Sequence, residues 1–170
     1  MTVVAGIDGY RRGWVAIVLI EGRFEAALAE PDLAALVARL GNAWSIGVDI
    51  PIGLPERGPR PADIEARRFV GPRRSSVFPT LPRAVWEAPD LAAARQLNRE
   101  LSGRSVSAQT FALRDKVLEA DALARSDRRI REVHPEVSFR AIAGQPLTTP
   151  KLSLIHISEP RDRSAYRVCR

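Results

Sequence analysis

Two aspartates lie at or next to the ends of apolar runs in the sequence. Asp8 ends the run at residues 3–8, and Asp49 lies near the end of the run at residues 44–50. If these runs form neighbouring parallel strands, both carboxylates emerge at one edge of the sheet, where open α/β sheets bind ligands. Carboxylates this close repel each other unless a cation lies between them. The pair therefore predicts a Mg²⁺ or Mn²⁺ site that could generate a hydroxide and orient a phosphodiester for displacement.

The alternative is that Asp8 serves an Asp-Gly turn and that Asp49 caps a loop. A third acidic group comes from residues 131–139, which are predicted to form a fifth strand despite Pro135. Glu132, His134 and Glu136 alternate there, so a strand would place all three on one face. Glu136 is the better metal ligand because it lies nearer the strand's carboxyl end, and His134 could shuttle protons or contact phosphate. A solvated face of an edge strand is the competing interpretation.

A basic segment offers groups that could hold phosphate oxygens. Arg73, Arg74 and Ser75 are consecutive, and guanidinium groups, hydroxyls and loop amides all bind phosphate. Residues 56–83 contain seven arginines against three acids. A solvated basic loop would have the same composition. Two aromatic residues nearby, Phe78 and Trp86, could stack on bases or pack in the core.

The elements that must position these residues follow from the spacing of apolar residues. Three short apolar runs on tight loops, at residues 3–8, 14–20 and 23–28, predict an antiparallel meander. A helix is predicted at residues 31–40, where leucine and valine recur at helical spacing. The strand at residues 44–50 follows it. The order β-β-β-α-β favours a fourth strand that lies parallel to the first.

The rest of the chain is predicted to be mainly helical. Residues 51–89 are rich in proline and glycine and contain a short helix at residues 61–70, which Gly71 ends. Two further helices are predicted near residues 89–101 and 107–126. The second has an apolar face.

Composition limits the class of protein. The chain has 170 residues, of which 45% are hydrophobic and 27% charged, as in one ordinary globular domain. No apolar run approaches the ~18 residues that a membrane span needs, so no membrane partner is expected. The lone cysteine, Cys169, fits a reducing compartment and predicts a cytoplasmic protein. The net charge of +6 comes almost entirely from arginine. P-loop, Rossmann, zinc-finger and serine-hydrolase motifs do not occur.

Four motifs occur in a fixed order, and together they resemble a known family. They are GIDGxxxGW from Gly6, VDIPIGL from Val48, RRSSVF from Arg73 and EVHPExxF from Glu132. The sequence is similar over residues 3–151 to the bacterial and archaeal domain of unknown function 429, described as predicted RNase H-like nucleases. The resemblance implies a ribonuclease H-like fold, in which Asp8 and Asp49 match the acids of strands one and four. Glu136 matches the family's His-Pro-Glu motif.

The end of the chain departs from that family. Members continue past the position of Lys151 into helices that include an acidic motif, which should complete the metal site. Here residues 152–170 resemble a translated adapter sequence, so we interpret residues 1–151 as an incomplete domain and the rest as a non-native tail. A genuine terminal strand and loop is the alternative. On the first interpretation, His156 and Cys169 have no chemical role.

The sequence thus predicts an α/β, ribonuclease H-like mixed sheet with flanking helices. The predicted function is Mg²⁺- or Mn²⁺-dependent cleavage of nucleic acid, an activity that truncation before the acidic motif could abolish. Asp8, Asp49 and Glu136 would be catalytic metal ligands, while Arg73, Arg74, Ser75 and His134 would bind substrate. Two alternatives remain: an actin-like phosphotransferase that acts on a small molecule, and a non-catalytic nucleic-acid-binding domain. Glycines around Asp8, at positions 6, 9 and 13, suit the phosphate-binding hairpin of the first alternative.

Overall fold

Three antiparallel strands begin the chain in a computed structural model, which describes residues 1–145. Strands β1 (Val3–Tyr10), β2 (Gly13–Ile20) and β3 (Arg23–Glu30) form the predicted meander. Gly13 opens β2 with a φ of +149°, and a Cβ atom at this position would overlap the carbonyl oxygen of Glu30. Glycine is therefore required where β2 begins.

Two further strands extend the sheet on the other side of β1. After helix α1 (Leu33–Arg39), strand β4 (Ser45–Val48) pairs in parallel with β1, as predicted. Strand β5 (Ile130–Glu132) pairs in parallel with β4. The order is β3-β2-β1-β4-β5, so β1 and β4 are interior strands of a five-stranded mixed sheet. The predicted α/β class with a mixed sheet and flanking helices is confirmed.

The remaining elements described are helical. The prediction of one helix over residues 107–126 is wrong, because Ala112 and Leu113 separate α5 from α6. Within residues 1–145, no helix combines the length and apolar character needed to cross a bilayer. The helical elements between β4 and the end of the described chain are α2 (Pro61–Val70), a 3₁₀ segment (Gly71–Ser76), α3 (Arg83–Trp86), α4 (Leu91–Ser102), α5 (Ala108–Phe111), α6 (Arg114–Ser126) and α7 (Pro135–Ala143).

The core lies against one face of the sheet. Alternate residues of the strands point to this face, among them Ile7, Trp14 and Val48, which are all buried. Leu36 of α1 and Val117 of α6 belong to the same buried cluster. A fully buried leucine or valine contributes about 1.5–3 kcal/mol through removal from water. Burial on this side leaves the other face to carry Asp8.

The prediction of a strand over residues 131–139 is wrong beyond Glu132. Strand β5 ends there, His134 is the N-cap residue of α7, and Pro135 begins the helix. Proline suits the first helical position because its φ is preset and its missing N–H would have no helical partner. Glu132, His134 and Glu136 therefore do not share one strand face.

Candidate active site

Asp8 lies near the carboxyl end of β1, beside Asp49, which directly follows β4. Ile7 pairs with Val48, and the Asp49 N–H donates to the Ile7 carbonyl at 3.0 Å, so the next residues continue the register. Both side chains then point to the sheet face opposite the core. Asp8 is exposed and Asp49 is half-buried. The sequence analysis predicted this common edge, and the structure brings the two aspartates together there.

Two glycines lie on the same face, two residues before the aspartates. Gly6 and Gly47 are paired in register between β1 and β4. A Cβ atom on Gly6 would meet nothing within 4 Å, whereas one on Gly47 would lie 2.8 Å from Cγ1 of Val133. The space over β1 beside Asp8 is thus open, while Val133 covers β4. A substrate can approach Asp8 over the backbone of Gly6.

Arg73 and Glu136 form an ion pair between the 3₁₀ segment and α7. Arg73 Nη2 donates to Glu136 Oε1 at 2.6 Å, and the Glu136 side chain is buried. The carboxylate also lies in the first turn of α7, where the helix dipole favours negative charge. Its other oxygen, Oε2, is buried without a hydrogen-bond partner among the described residues. The role of Glu136 as a metal ligand remains a prediction.

A second contact joins the same two segments. His134 Nε2 lies 3.2 Å from the Ser76 carbonyl oxygen, and Nδ1 is buried without a partner within the described part of the chain. If Nε2 carries the proton, it donates to that carbonyl. Arg74 and Ser75 are exposed on the 3₁₀ segment between these contacts. The sequence motifs around Arg73 and His134 therefore pack together, and Arg74 and Ser75 remain candidates for binding phosphate.

Sequence reasoning missed the buried ion-pair network around Arg60. This guanidinium donates to both oxygens of Glu132, at 2.5 and 2.7 Å, and to Asp63 at 2.5 Å. Glu132 also accepts from the Ile52 N–H at 2.9 Å, which attaches the loop after β4 to the end of β5. Burial lowers the pKa of Arg60, but the hydrogen bonds that it donates to Glu132 and Asp63 outweigh this effect and raise the pKa above its usual value. The sequence signal was a charged pair three residues apart at the start of α2.

Asp121 lies at the centre of a second buried network of hydrogen bonds and ion pairs. It accepts from the N–H groups of Gly53 and Leu54 at 2.9 and 3.3 Å and from Arg83 at 2.8 Å. Burial raises the pKa of Asp121, but Arg83 and the two N–H groups outweigh it, so the pKa lies below its ordinary value. A signal was present, because Asp121 falls four residues after Val117 on the apolar face of α6.

These ion pairs reduce the charge of the basic segment at residues 56–83. Three of its arginines face carboxylates from later in the chain: Arg60 pairs with Glu132, Arg73 with Glu136 and Arg83 with Asp121. The surplus of four positive charges in the sequence therefore falls to one. Trp86 is buried in the core, while Phe78 is 80% exposed and remains available to stack on a base.

The two aspartates suit a hydrated divalent cation better than an all-protein cage. Within residues 1–145, no three histidine, cysteine or acidic side chains form a group that could hold a metal ion. Mg²⁺ commonly takes only one or two carboxylates and fills its shell with waters and substrate phosphates. Asp8, exposed beside the half-buried Asp49, fits this mode of binding.

A family comparison agrees with the motifs of the sequence. The sequence has no match among curated proteins or among solved structures. The family described as "Protein of unknown function (DUF429)" matches residues 6–167. This range includes both aspartates and extends past Lys151. The predicted non-native segment, residues 152–170, lies outside the described residues. The chain belongs to the DUF429 family.

Proposed function

We propose that the chain is a metal-dependent nuclease with a ribonuclease H-like fold. The observation that carries this proposal is the placement of Asp8 and Asp49, in register at the carboxyl ends of neighbouring parallel strands. A three-strand meander followed by two parallel strands is the sheet expected of that fold. The open space over Gly6 supports access for a polymer backbone.

In this proposal each group near the aspartates has a defined task. Asp8 and Asp49 would hold Mg²⁺ or Mn²⁺, which would supply a metal-activated water and offset the charge of the phosphodiester. Arg74 and Ser75, exposed on the 3₁₀ segment, contact phosphate oxygens of the substrate. The Arg73–Glu136 and His134–Ser76 contacts attach this segment to α7 and fix its position.

The first test replaces Asp8 with asparagine, which keeps the shape of the side chain and removes its charge. Asp8→Asn should reduce metal-dependent cleavage at least about 100-fold, because even residues that only orient metal ligands are worth 10–100-fold. The assay uses the full chain with Mg²⁺ or Mn²⁺ and end-labelled single-stranded DNA, RNA and hybrid duplexes. Asp115→Asn, an exposed aspartate on α6, is the matched control and should cleave like the parent.

Two results would overturn the assignment. One is cleavage that persists in a chelator, and the other is equal cleavage by the Asp8→Asn and Asp115→Asn variants. A non-catalytic nucleic-acid-binding domain is the second candidate. It is favoured by the ion pairs of Glu132 with Arg60 and of Glu136 with Arg73, since a guanidinium there takes the place of a cation. Salt-sensitive binding that needs neither metal nor Asp8, without any cleavage, would support it.

A further inference from the structure

A groove of about 660 Å³ lies at the end of the sheet opposite Asp8 and Asp49. Its walls include Trp44 and Ser45, where β4 begins, and Arg128, Arg129 and Arg131 around the start of β5. None of the sequence motifs includes these residues. The groove combines one aromatic ring with three guanidinium groups.

The aromatic ring belongs to Trp44, which is 76% exposed. Its backbone is held in place, because the Trp44 N–H donates to the Val3 carbonyl at 2.8 Å. The other two tryptophans differ sharply, since Trp14 and Trp86 are 0% and 3% exposed. A large ring on a fixed backbone can bind a flat partner at little cost in conformational entropy.

Arg129 lines the groove and connects the two loops that border it. It donates to the Gly41 carbonyl at 2.8 Å and to Asp127 at 2.6 Å, which ties the loop before β4 to the loop before β5. Asp127 neutralises this guanidinium. Arg128 and Arg131 are exposed, and within residues 1–145 neither pairs with a carboxylate. Hydrogen bonds of Arg129 thus fix the shape of the groove, and Arg128 and Arg131 give it two positive charges that no carboxylate of the described residues neutralises.

Part of the groove's lining lies on the sheet face that carries the aspartates. Ser45, Gly47 and Asp49 alternate along β4 on that face, and Arg131 is paired in register with Gly47. At about 3.3 Å per residue, Ser45 lies about 13 Å from Asp49. Because Val133 covers β4 at Gly47, an extended chain that starts at the groove can reach the aspartates over the open backbone of Gly6 in β1.

We propose that this groove binds single-stranded nucleic acid, with a base stacked on Trp44 and phosphates on Arg128 and Arg131. Stacking on an aromatic ring combined with a cationic track is how single strands are held without base-specific readout. The two arginines alone would also suit an acidic peptide, but the bare tryptophan ring favours a nucleobase. The inference rests on the proposed function in one respect, since the strand bound here would be the substrate of Asp8 and Asp49.

Intrinsic fluorescence tests the groove directly because Trp44 is the exposed tryptophan. Titration of the full chain with unlabelled oligothymidylate or oligouridylate should quench this emission, and added salt should weaken the effect. A polyglutamate peptide should not quench it. Trp44→Ala should weaken binding of a labelled oligonucleotide about tenfold, measured by anisotropy. Arg131→Gln should reduce the slope of log affinity against log salt by about one.

Matched controls separate the groove from the general surface. Phe24→Ala removes an aromatic ring that is 66% exposed on β3, and Arg99→Gln removes an exposed arginine on α4. Both should bind like the parent. Circular dichroism checks that Trp44→Ala is folded. Arg131→Gln changes an exposed side chain and tests the groove independently if Trp44→Ala does not fold.

The outcomes distinguish this inference from the proposed nuclease. If Trp44→Ala and Arg131→Gln bind as well as the controls, or if polyglutamate quenches equally, the groove is not a nucleic-acid site. The proposed nuclease would be unaffected by that result, because loss of cleavage in Asp8→Asn tests it separately. Conversely, binding that depends on Trp44 without any cleavage supports the groove and contradicts the nuclease.

Discussion

The acidic residues near the carboxyl ends of β4 and β5 fall into two kinds. Asp121, Glu132 and Glu136 each face an arginine at 2.5–2.8 Å, and these pairs are largely buried. A cation could bind to Asp121 or Glu132 only by displacing an arginine, whereas Oε2 of Glu136 has no hydrogen-bond partner among the described residues. Asp8 is exposed on the sheet, so its carboxylate is accessible to a metal ion. This difference in environment, rather than residue type, separates Asp121 and Glu132, which are held in ion pairs, from the exposed Asp8.

Asp121 should make folding stability sensitive to acid. Because its pKa is lowered in the folded state, its contribution is present above the unfolded value of about 3.9 and is lost as pH falls through the folded value. Asp121→Asn should lower the free energy of unfolding at neutral pH by about 1–3 kcal/mol. It should also flatten the pH dependence below about pH 4. Urea unfolding curves at a series of pH values measure both effects.

The control for this prediction lies on the same helix. Asp115 is exposed, so Asp115→Asn should leave the curve of stability against pH close to that of the parent. Equal flattening in the two variants would contradict the proposed role of Asp121.

Among the elements of the sheet, β1 and β4 contain a pair of glycines whose surroundings differ: Gly47 is covered by Val133, and Gly6 faces open space. Gly47→Ala should destabilise the protein by about 1–3 kcal/mol, because the new methyl group would overlap Val133. Val133→Ala in the same chain should recover most of that loss. Gly6→Ala, at the paired position in β1, enters open space and should change stability by about 0.5 kcal/mol or less.

Thermal and urea unfolding of the three variants measure these effects. Equal destabilisation by Gly6→Ala and Gly47→Ala would mean that loss of glycine, rather than contact with Val133, controls stability. Gly6→Ala also tests the proposed function, because a methyl group beside Asp8 should hinder substrate binding while leaving the fold intact.

The sequence predicted the elements whose apolar periodicity is continuous. The meander, α1 and β4 fall where runs and helical spacing placed them, and their order was sufficient to predict the parallel pairing that brings Asp8 beside Asp49. The prediction failed where a single residue fits two structures. Pro135 is compatible with a bulged strand and with the first position of a helix, and it begins α7. The ion pairs could not be predicted, because Arg60 and Glu132 lie 72 residues apart and nothing local identifies the partner.

At the scale of the whole molecule, the net charge of +6 is unevenly available to a partner. Beside the carboxyl ends of the strands, Arg60, Arg73 and Arg83 pair with carboxylates, and Arg74 is exposed. At the groove, Arg128 and Arg131 are exposed and pair with no carboxylate of residues 1–145. A polyanion would therefore meet unpaired charge at the end of the sheet remote from Asp8. Salt should accordingly affect association more than cleavage of a bound strand.

The pairing of β1 with β4 has a consequence for the order of folding. The meander joins neighbouring segments, whereas Ile7 and Val48 are 41 residues apart and Ile46 pairs with Ile130. Local hairpins close at a lower entropic cost than distant parallel pairs, so we expect the meander to belong to the folding nucleus. Val18→Ala should then slow refolding, while Val48→Ala should mainly accelerate unfolding, as stopped-flow kinetics can measure. The reverse pattern would contradict this order. The two aspartates would thus meet late in folding, and a chain arrested early would carry both carboxylates without assembling them.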